Sequence, residues 1–241
     1  MKIIEKMAKK AADNWNEPGV TIAFLGDSVT QGCFELYRKG EDGFETYFDK
    51  NSVYHLYLSK ILSVIFPAVP VNVINAGVSG GSAPHGLERL ERDVLAHNPD
   101  LTVVCFGLND CGNWAPGVDA YVDALDAIFT KLQENGSEII FMTPNMMATG
   151  ISCHMERDEV WLKLAKHIST LQNEGMLDLY LDAAKALCER RGIKVCDCHA
   201  KWKKMAENGV DITELLANKL NHPTREMNWL FAYSLVETMF S

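Results

Sequence analysis

The sequence lacks the long apolar runs and the basic patches that membrane proteins and nucleic-acid-binding proteins require. No stretch of its 241 residues approaches the roughly 18 apolar residues of a membrane-spanning helix. The first eleven residues, MKIIEKMAKKA, lack the apolar core of a secretory signal peptide. The net charge is −9 at neutral pH, whereas polyanions attract basic surfaces. We therefore expect no membrane span and no nucleic-acid partner.

Paired Cys-x-x-Cys motifs are also missing. The seven cysteines are an odd number, and without a secretion signal they predict reduced thiols and a cytoplasmic protein. Cys196 and Cys198 stand one residue apart, with His199 directly after them, which is the wrong spacing for a structural zinc site. Cys196 is expected at the end of a strand, where a thiol packs as a small apolar side chain. We expect no bound metal and no cofactor.

No segment of the chain has the composition of a linker. Apolar residues make up 47% of the sequence and charged residues 23%, as in ordinary soluble globular proteins. The length suits one large α/β domain or two small ones. No Pro/Gly/Ser-rich stretch, low-complexity run or internal repeat divides the chain, so we predict a single domain over residues 1–241.

Apolar runs alternate with segments of helical periodicity. The runs are rich in β-branched or aromatic residues and are typical of strands buried on both faces of a parallel sheet; they cover residues 21–25, 71–74, 101–106, 138–142 and 193–196. The helical segments cover residues 53–66, 82–97, 118–134, 156–171, 176–191 and 226–240. This alternation predicts an α/β fold with one doubly wound, five-stranded parallel sheet and right-handed crossovers.

Short polar and glycine-rich motifs follow the first three predicted strands, and a histidine precedes the last predicted helix. In chain order the motifs are Gly26-Asp27-Ser28, Asn75-x-Gly77-x-Ser79-Gly80, Gly107-x-Asn109-Asp110 and Asn221-His222-Pro223. Open α/β sheets bind their ligands outside the carboxyl ends of the strands. A serine that attacks an ester also needs a base within hydrogen-bond reach. Of the seven histidines, only His222 has a loop-to-helix position stiffened by a following proline.

These four blocks, in this order, resemble the SGNH hydrolases, also called the GDSL esterase/lipase family, over about residues 20–235. The resemblance implies the flavodoxin-like variant of the doubly wound sheet and a serine esterase. It implies that Ser28 is the nucleophile and His222 the base. It further implies an oxyanion hole formed by the N–H groups of Ser28 and Gly80 and by the side chain of Asn109.

A second serine motif competes with this assignment. Residues 77–81 match Gly-x-Ser-x-Gly, the nucleophile elbow of the α/β-hydrolases, and would make Ser79 the nucleophile. That fold lays down several strands before its elbow, whereas one clear strand precedes this motif. The elbow would also leave Gly-Asp-Ser and Gly-x-Asn-Asp without a role. We therefore favour Ser28.

The chain departs from the family pattern at the residue three before the histidine, where Lys219 stands instead of the usual aspartate. Three explanations are open. A backbone carbonyl near Lys219 accepts the proton on Nδ1, which leaves a Ser–His dyad. Alternatively, a carboxylate arrives from elsewhere, Asp211 being the nearest upstream. In the third, catalysis is impaired. We favour the carbonyl, because Asp211 lies eleven residues from His222 and would need a folded-back loop.

The expected function is hydrolysis of O-acyl esters. Short acyl groups are favoured, such as acetyl on a carbohydrate, so the expected partner is a small-molecule or oligosaccharide ester. The alternatives are a lysophospholipase or thioesterase-type acyl hydrolase, a non-catalytic binding module on the same fold, and a flavodoxin-like nucleotide binder. The last is disfavoured because the chain lacks a Gly-x-Gly-x-x-Gly fingerprint and a P-loop. The Met-rich segment 145–155 is either a pocket wall or core packing.

Overall fold

The computed structural model describes residues 1–40, 43–156 and 158–241. Within them the strands are β1 (Val20–Gly26), β2 (Cys33–Lys39), β3 (Gly43–Phe48), β4 (Val71–Gly77), β5 (Leu101–Cys105), β6 (Glu138–Met142) and β7 (Lys194–Cys196). The α-helices are α1 (Lys2–Ala12), α2 (Ser28–Gln31), α3 (Tyr54–Ile65), α4 (Ala83–Asp93), α5 (Val118–Glu134), α6 (Glu159–Asn173), α7 (Met176–Arg191), α8 (Cys198–Glu207) and α9 (Asn228–Phe240).

Five of the strands form a parallel sheet in the spatial order β4-β1-β5-β6-β7. The first strand of the sheet pairs with β4 through Val20↔Val71 and with β5 through Ile22↔Leu101. The order therefore reverses between β1 and β5, and in open α/β sheets such a switch point opens a crevice at the carboxyl ends of the strands. The predicted α/β class and five-stranded parallel sheet are confirmed.

Burial explains why the strands could be read from the sequence. In β5 all five residues are buried, and in β1 only Thr21 is partly exposed. A strand covered by helices on both faces needs apolar side chains at consecutive positions, which gives a continuous run instead of an alternating one. The predicted helices 118–134 and 176–191 agree to the residue with α5 and α7.

The structure differs from the expectations in several places. The short helix α2 was not predicted, and predicted helix 156–171, of which residue 157 lies outside the described residues, begins at Glu159 as α6. Predicted helix 82–97 ends at Asp93 as α4, and Leu95–His97 forms a separate 3-10 turn. Helices α1 and α8 were not predicted. Strands β2 and β3 pair with each other in antiparallel fashion, and this pair, called the hairpin below, was not predicted either. Its inner residue Leu36 packs on Met155, Trp161 and Leu220, outside the main core, so the pattern of the main sheet does not extend to it.

The Met-rich segment contributes to a second, smaller core. Met146 and Ala148 are buried against Trp202, Ile212 and Leu216. This segment is therefore packed beneath the loop that leads to His222, which favours the second of the two interpretations of residues 145–155. None of the helices described here combines the length and the apolar character needed to cross a membrane.

A glycine at the end of β4 allows close contact with α2. A Cβ at Gly77 would lie 2.2 Å from the backbone nitrogen of Gln31 and 2.6 Å from the carbonyl carbon of Thr30. Because these are backbone atoms, no rotamer change relieves the clash. Only displacement of the helix that begins at Ser28 would do so.

We predict that Gly77→Ala lowers the free energy of unfolding by roughly 1–3 kcal/mol or more, as overpacking does. Gly112→Ala is the matched control, since a Cβ there would meet no heavy atom within 4 Å. Urea unfolding of both variants, followed by circular dichroism, measures the difference. Equal stabilities would show that α2 does not depend on the close approach at Gly77.

Candidate active site

Ser28 is placed by the turn between β1 and α2. The strand ends at Gly26, and Asp27 caps the short helix by accepting a hydrogen bond from the N–H of Val29 at 2.9 Å. Ser28 is the first residue of the helix and is only 3% exposed. Arg89 donates to the carbonyl oxygens of Gly26 (2.8 Å) and Ala76 (2.6 Å), so the ends of β1 and β4 are held together beside the serine.

The imidazole of His222 lies against Ser28. Its Nε2 is 2.9 Å from Ser28 Oγ, and its Nδ1 is 2.9 Å from the carbonyl oxygen of Phe34. A carbonyl oxygen can only accept a hydrogen bond, so Nδ1 carries the proton. In the neutral ring Nε2 is then unprotonated and accepts from the serine hydroxyl. This is the tautomer in which a histidine can remove a proton from a nucleophile.

The loop before His222 is held by two buried amides. Asn218 Oδ1 accepts from the N–H groups of three residues, Leu220 (3.0 Å), Asn221 (2.9 Å) and His222 (2.9 Å). Asn145 Nδ2 donates to the carbonyl oxygen of Asn221 at 2.9 Å. The backbone of the histidine is therefore fixed by contacts that the short His-Pro motif does not reveal.

The position of the carbonyl corrects one expectation. Phe34, not a residue near Lys219, supplies the acceptor for Nδ1. Lys219 adopts a positive φ of 57° and directs its ammonium to Glu214 at 2.7 Å. Asp211 accepts from the N–H of Thr213 at 2.9 Å, so its carboxylate caps a 3-10 turn. A backbone carbonyl was predicted as the acceptor, but its location near Lys219 was wrong. The acceptor belongs to Phe34 in β2, a strand that was not predicted.

The Gly80 loop and the Asn109 turn are joined at the carboxyl ends of β4 and β5. Asn109 Nδ2 donates to the carbonyl oxygen of Gly81 at 2.9 Å. Asp110 accepts from the N–H of Ala83 at 2.8 Å and from that of Gly107 at 3.0 Å. An amide nitrogen has two hydrogens, so Asn109 retains one that the Gly81 carbonyl does not use. The structure thus brings these two predicted site residues into neighbouring, connected turns.

Glycine at position 80 is required by its backbone conformation. Its φ is 75°, and a Cβ there would meet no heavy atom within 4 Å. Left-handed backbone of this kind is unfavourable for residues with a Cβ. Ser79, the competing nucleophile, lies exposed in the same loop, with its N–H bonded to Gln31 Oε1 at 2.7 Å. Since Nε2 of His222 contacts Ser28, the geometry favours Ser28 over Ser79.

Burial shifts the pKa values of three groups around the site. It lowers the pKa of His222 to about 4, against which the hydrogen bond to Phe34 and the charge of Glu35 act in the opposite direction. Burial raises the pKa of Asp27 to about 7, and the charge of Asp110 adds to this effect. It also raises the pKa of Asp110 to about 6. The neutral forms of all three side chains are thus favoured.

An open depression of about 570 Å³ borders the Gly80 loop. Charged and polar side chains form much of its lining, including His85, Glu88 and Arg92. Elsewhere, the thiols of Cys196 and Cys198 are buried with their sulfur atoms 3.7 Å apart. That pair lies at the end of β7, which two strands separate from β1 in the sheet.

The sequence matches the model of the GDSL-like Lipase/Acylhydrolase family over residues 24–230. The chain belongs to this family. The SGNH/GDSL resemblance and the expectation of a carboxylic ester hydrolase are therefore confirmed at the level of the family.

A curated relative is the acetylxylan esterase of Geobacillus stearothermophilus. It is 32% identical over 92 residues, which cover 38% of this chain and 40% of that protein. The matched stretch thus spans less than half of that relative.

Solved structures show the same fold. The acetylxylan esterase Axe2 from Geobacillus stearothermophilus superposes with a TM-score of 0.67 at 22% identity, covering 92% of this chain and 94% of that chain. The acetyl xylan esterase AlAXEase gives 0.66 at 20% identity, covering 90% and 98%. Solved variants of Axe2 altered at a serine, an aspartate and a histidine are described as catalytic mutants.

Replacement of Asp27 tests the cost of the buried carboxylate. Its pKa in the folded protein, about 7, lies above the ordinary 3.8, so the stability that the neutral acid retains at low pH is lost as the pH rises toward 7. Asparagine keeps the acceptor for the N–H of Val29 without the charge. We predict that Asp27→Asn gains up to about 4 kcal/mol relative to the parent between pH 4 and pH 8, from 1.36 kcal/mol per pKa unit.

The measurement is chemical denaturation of both proteins across that pH range. Asp182→Asn serves as the control, because the Asp182 side chain is 70% exposed on α7. A stability difference between Asp27→Asn and the parent that does not change with pH would contradict the raised pKa.

Proposed function

We propose that the protein is a serine esterase that removes short acyl groups, with acetyl groups on an oligosaccharide as the substrate class. One observation carries the proposal: Ser28 Oγ is 2.9 Å from an imidazole nitrogen whose tautomer is fixed by the Phe34 carbonyl. A hydroxyl and an oriented base in hydrogen-bond contact are the elements that nucleophilic acyl transfer needs.

In the proposed reaction, Ser28 Oγ attacks the ester carbonyl carbon while its proton passes to His222 Nε2. The resulting imidazolium donates that proton to the leaving alcohol as the tetrahedral intermediate collapses, which leaves an acyl-serine. Water then attacks the acyl-serine, His222 takes the proton of the water, and the serine is regenerated with release of the carboxylic acid. Each proton that the base accepts is returned, so the cycle closes.

The oxyanion of the intermediate needs donors aimed at it. We assign this role to the N–H groups of Ser28 and Gly80 and to the free hydrogen of Asn109 Nδ2. The support is the link between the Gly81 carbonyl and Asn109, which fixes the two turns relative to each other. Loss of one such donor in acyl-transfer enzymes typically costs about 10²–10³ in rate.

A Phe34 carbonyl supports the imidazolium less strongly than a carboxylate would. A carboxylate adds the attraction of opposite charges to its hydrogen bond with an imidazolium, and a neutral carbonyl does not. The lowered pKa of His222, about 4, agrees with a buried base whose Nδ1 contacts a neutral carbonyl and, within the described part of the chain, no carboxylate. The oxyanion donors therefore carry a larger share of the stabilisation in this enzyme than in one with an aspartate.

The surroundings of Ser28 support a small acyl group and a polar alcohol. Ser28 and His222 are only 3% and 4% exposed, which leaves little room for a long chain at the reacting carbonyl. The depression beside Gly80 is lined by His85, Glu88 and Arg92 but by neither Ser28 nor His222, so it supports a hydroxyl-rich alcohol only as a polar surface next to the site. The acetylxylan esterases among the relatives favour the same class. A lysophospholipase or thioesterase activity and a non-catalytic binding role are the alternatives.

The proposal predicts turnover of p-nitrophenyl acetate that Ser28→Ala abolishes. We expect kcat/KM to fall steeply from acetate to octanoate esters, and acetylated xylo-oligosaccharides to release acetate. A fluorophosphonate probe should label the parent at Ser28. Labelling that maps to Ser79, or that persists in Ser28→Ala, would contradict the nucleophile. Absence of turnover with every ester would favour the binding module, and a preference for octanoate the lysophospholipase alternative.

A further test of the Ser–His dyad uses Lys219 and Asp211, the two residues near which the sequence suggested a partner for His222 Nδ1. We predict that Lys219→Ala and Asp211→Asn each retain activity within about tenfold, whereas His222→Ala loses roughly 10²–10⁴, the usual contribution of a general base. Steady-state kinetics on p-nitrophenyl acetate measures all three. A loss in Asp211→Asn as large as that in His222→Ala would mean that the carboxylate, not the Phe34 carbonyl, supports the base.

A further inference from the structure

Arg225 links the histidine loop to the start of β2 and to the residue that follows β3. It lies three residues after His222, and its guanidinium forms a two-pronged ion pair with Glu35, at 2.7 and 3.1 Å. Its Nε donates to Asp49 at 3.0 Å, directly after the hairpin. A planar guanidinium that satisfies two carboxylates in this way holds their backbone segments at a fixed separation.

Aromatic rings complete the contact. The guanidinium carbon lies 4.4 Å from the centre of the Phe34 ring and 5.5 Å from that of the Tyr47 ring. Such cation–π contacts add to the ion pairs when the groups are partly desolvated, and the side chains of Arg225, Glu35 and Asp49 are all less than one-third exposed. Phe34 is thus held through its own ring and through its neighbour Glu35.

The hairpin ladder does not itself fix the Phe34 carbonyl. Strand β2 pairs regularly with β3 from Leu36 onward, and the register shifts between Cys33 and Leu36. Phe34 and Glu35 lie in this irregular stretch, where pairing is locally disrupted. Within the described residues the hairpin forms its own two-stranded sheet apart from the main sheet, and isolated hairpins are marginally stable. The Cys33↔Phe48 pair holds the start of this stretch, and contacts outside the ladder contribute to holding the carbonyl opposite His222.

We propose that Arg225 is the positioning residue of the Ser28–His222 pair: by gripping Glu35 and Asp49 and covering the Phe34 ring, it holds the Phe34 carbonyl at the distance that fixes the His222 tautomer. The proposal rests on the esterase function proposed above. It assigns to Arg225, acting through a backbone carbonyl, the orienting role that an aspartate at position 219 would have had.

The test compares Arg225→Gln with Arg191→Gln. Arg191 makes a similar set of contacts, to Asp126 at 2.6 Å and Thr130 at 2.8 Å, but it ends α7 just before β7, at the amino ends of the strands. We expect Arg225→Gln to lower kcat for p-nitrophenyl acetate about 10–10²-fold with KM within about threefold, as misplacement of a catalytic group does. Arg191→Gln should keep both constants.

A second readout follows the hydrogen bond itself. In the parent, proton NMR of the histidine-labelled protein should show a downfield His222 Nδ1–H signal protected from solvent exchange. Arg225→Gln should lose that protection, and Glu35→Gln should weaken it in the same direction. A folded Arg225→Gln with unchanged kcat and a protected signal overturns the proposal.

Two further outcomes need to be considered: an Arg225→Gln variant that does not fold, and a parent protein without esterase activity. If Arg225→Gln does not fold, Arg225→Lys takes its place; a lysine cannot form the fork, so parental kcat and protection in that variant overturn the proposal. If the parent hydrolyses no ester, the esterase function fails by itself. The NMR comparison then still decides whether Arg225 fixes the Phe34 carbonyl.

Discussion

The hydrogen bond from His222 Nδ1 to the Phe34 carbonyl is the interaction on which the site depends. It joins residues 188 positions apart, and it leaves one tautomer available to the ring. The contact with Ser28 has its chemical meaning only in that tautomer. Because His222 is almost fully buried, a free rotation of the ring would leave a polar nitrogen without a partner, which is costly in a packed interior. The same bond thus contributes to folding and to the orientation of the proposed base.

A neutral acceptor changes the electrostatic balance around the serine. Among the residues that the structure describes, no carboxylate contacts Nδ1, and burial lowers the pKa of His222. Burial also favours the neutral form of Asp27, directly before the serine, by raising its pKa to about 7. A neutral Asp27 caps α2 without placing a full negative charge next to the position where an oxyanion would form. Because the pKa of Asp27 is about 7, this neutral form makes up about half of the population at neutral pH, so burial reduces the charge beside the serine without removing it.

The main sheet could be predicted from the sequence because its central strands β1, β5 and β6 are buried on both faces and form continuous apolar runs, while the edge strands β4 and β7 are only partly buried. The loops at the carboxyl ends of the strands could be predicted for a related reason. Gly26, Gly80 and Asn109 belong to short turn motifs that directly follow the apolar runs in the sequence. The β2–β3 hairpin could not be predicted. Its outer face is exposed, with Tyr37 and Tyr47 more than half accessible, and its inner face packs on α6 through Phe44 and Trp161. Such contacts leave no periodic signal, so the partner of Nδ1 was missed with them.

The replacement at position 219 shows why short motifs describe this site incompletely. An aspartate three residues before the histidine would be a local feature, fixed by one loop and visible within the five residues 219–223. The Phe34 carbonyl, in contrast, belongs to a distant part of the sequence. Its position depends on the tertiary contacts that hold the hairpin. The ion pairs of Arg225 and the packing of Leu36 against Trp161 and Leu220 therefore belong to the environment of the base as much as the imidazole's own loop does. With lysine at position 219, the orientation of His222 depends on the packing of the hairpin and not on the His-Pro motif alone.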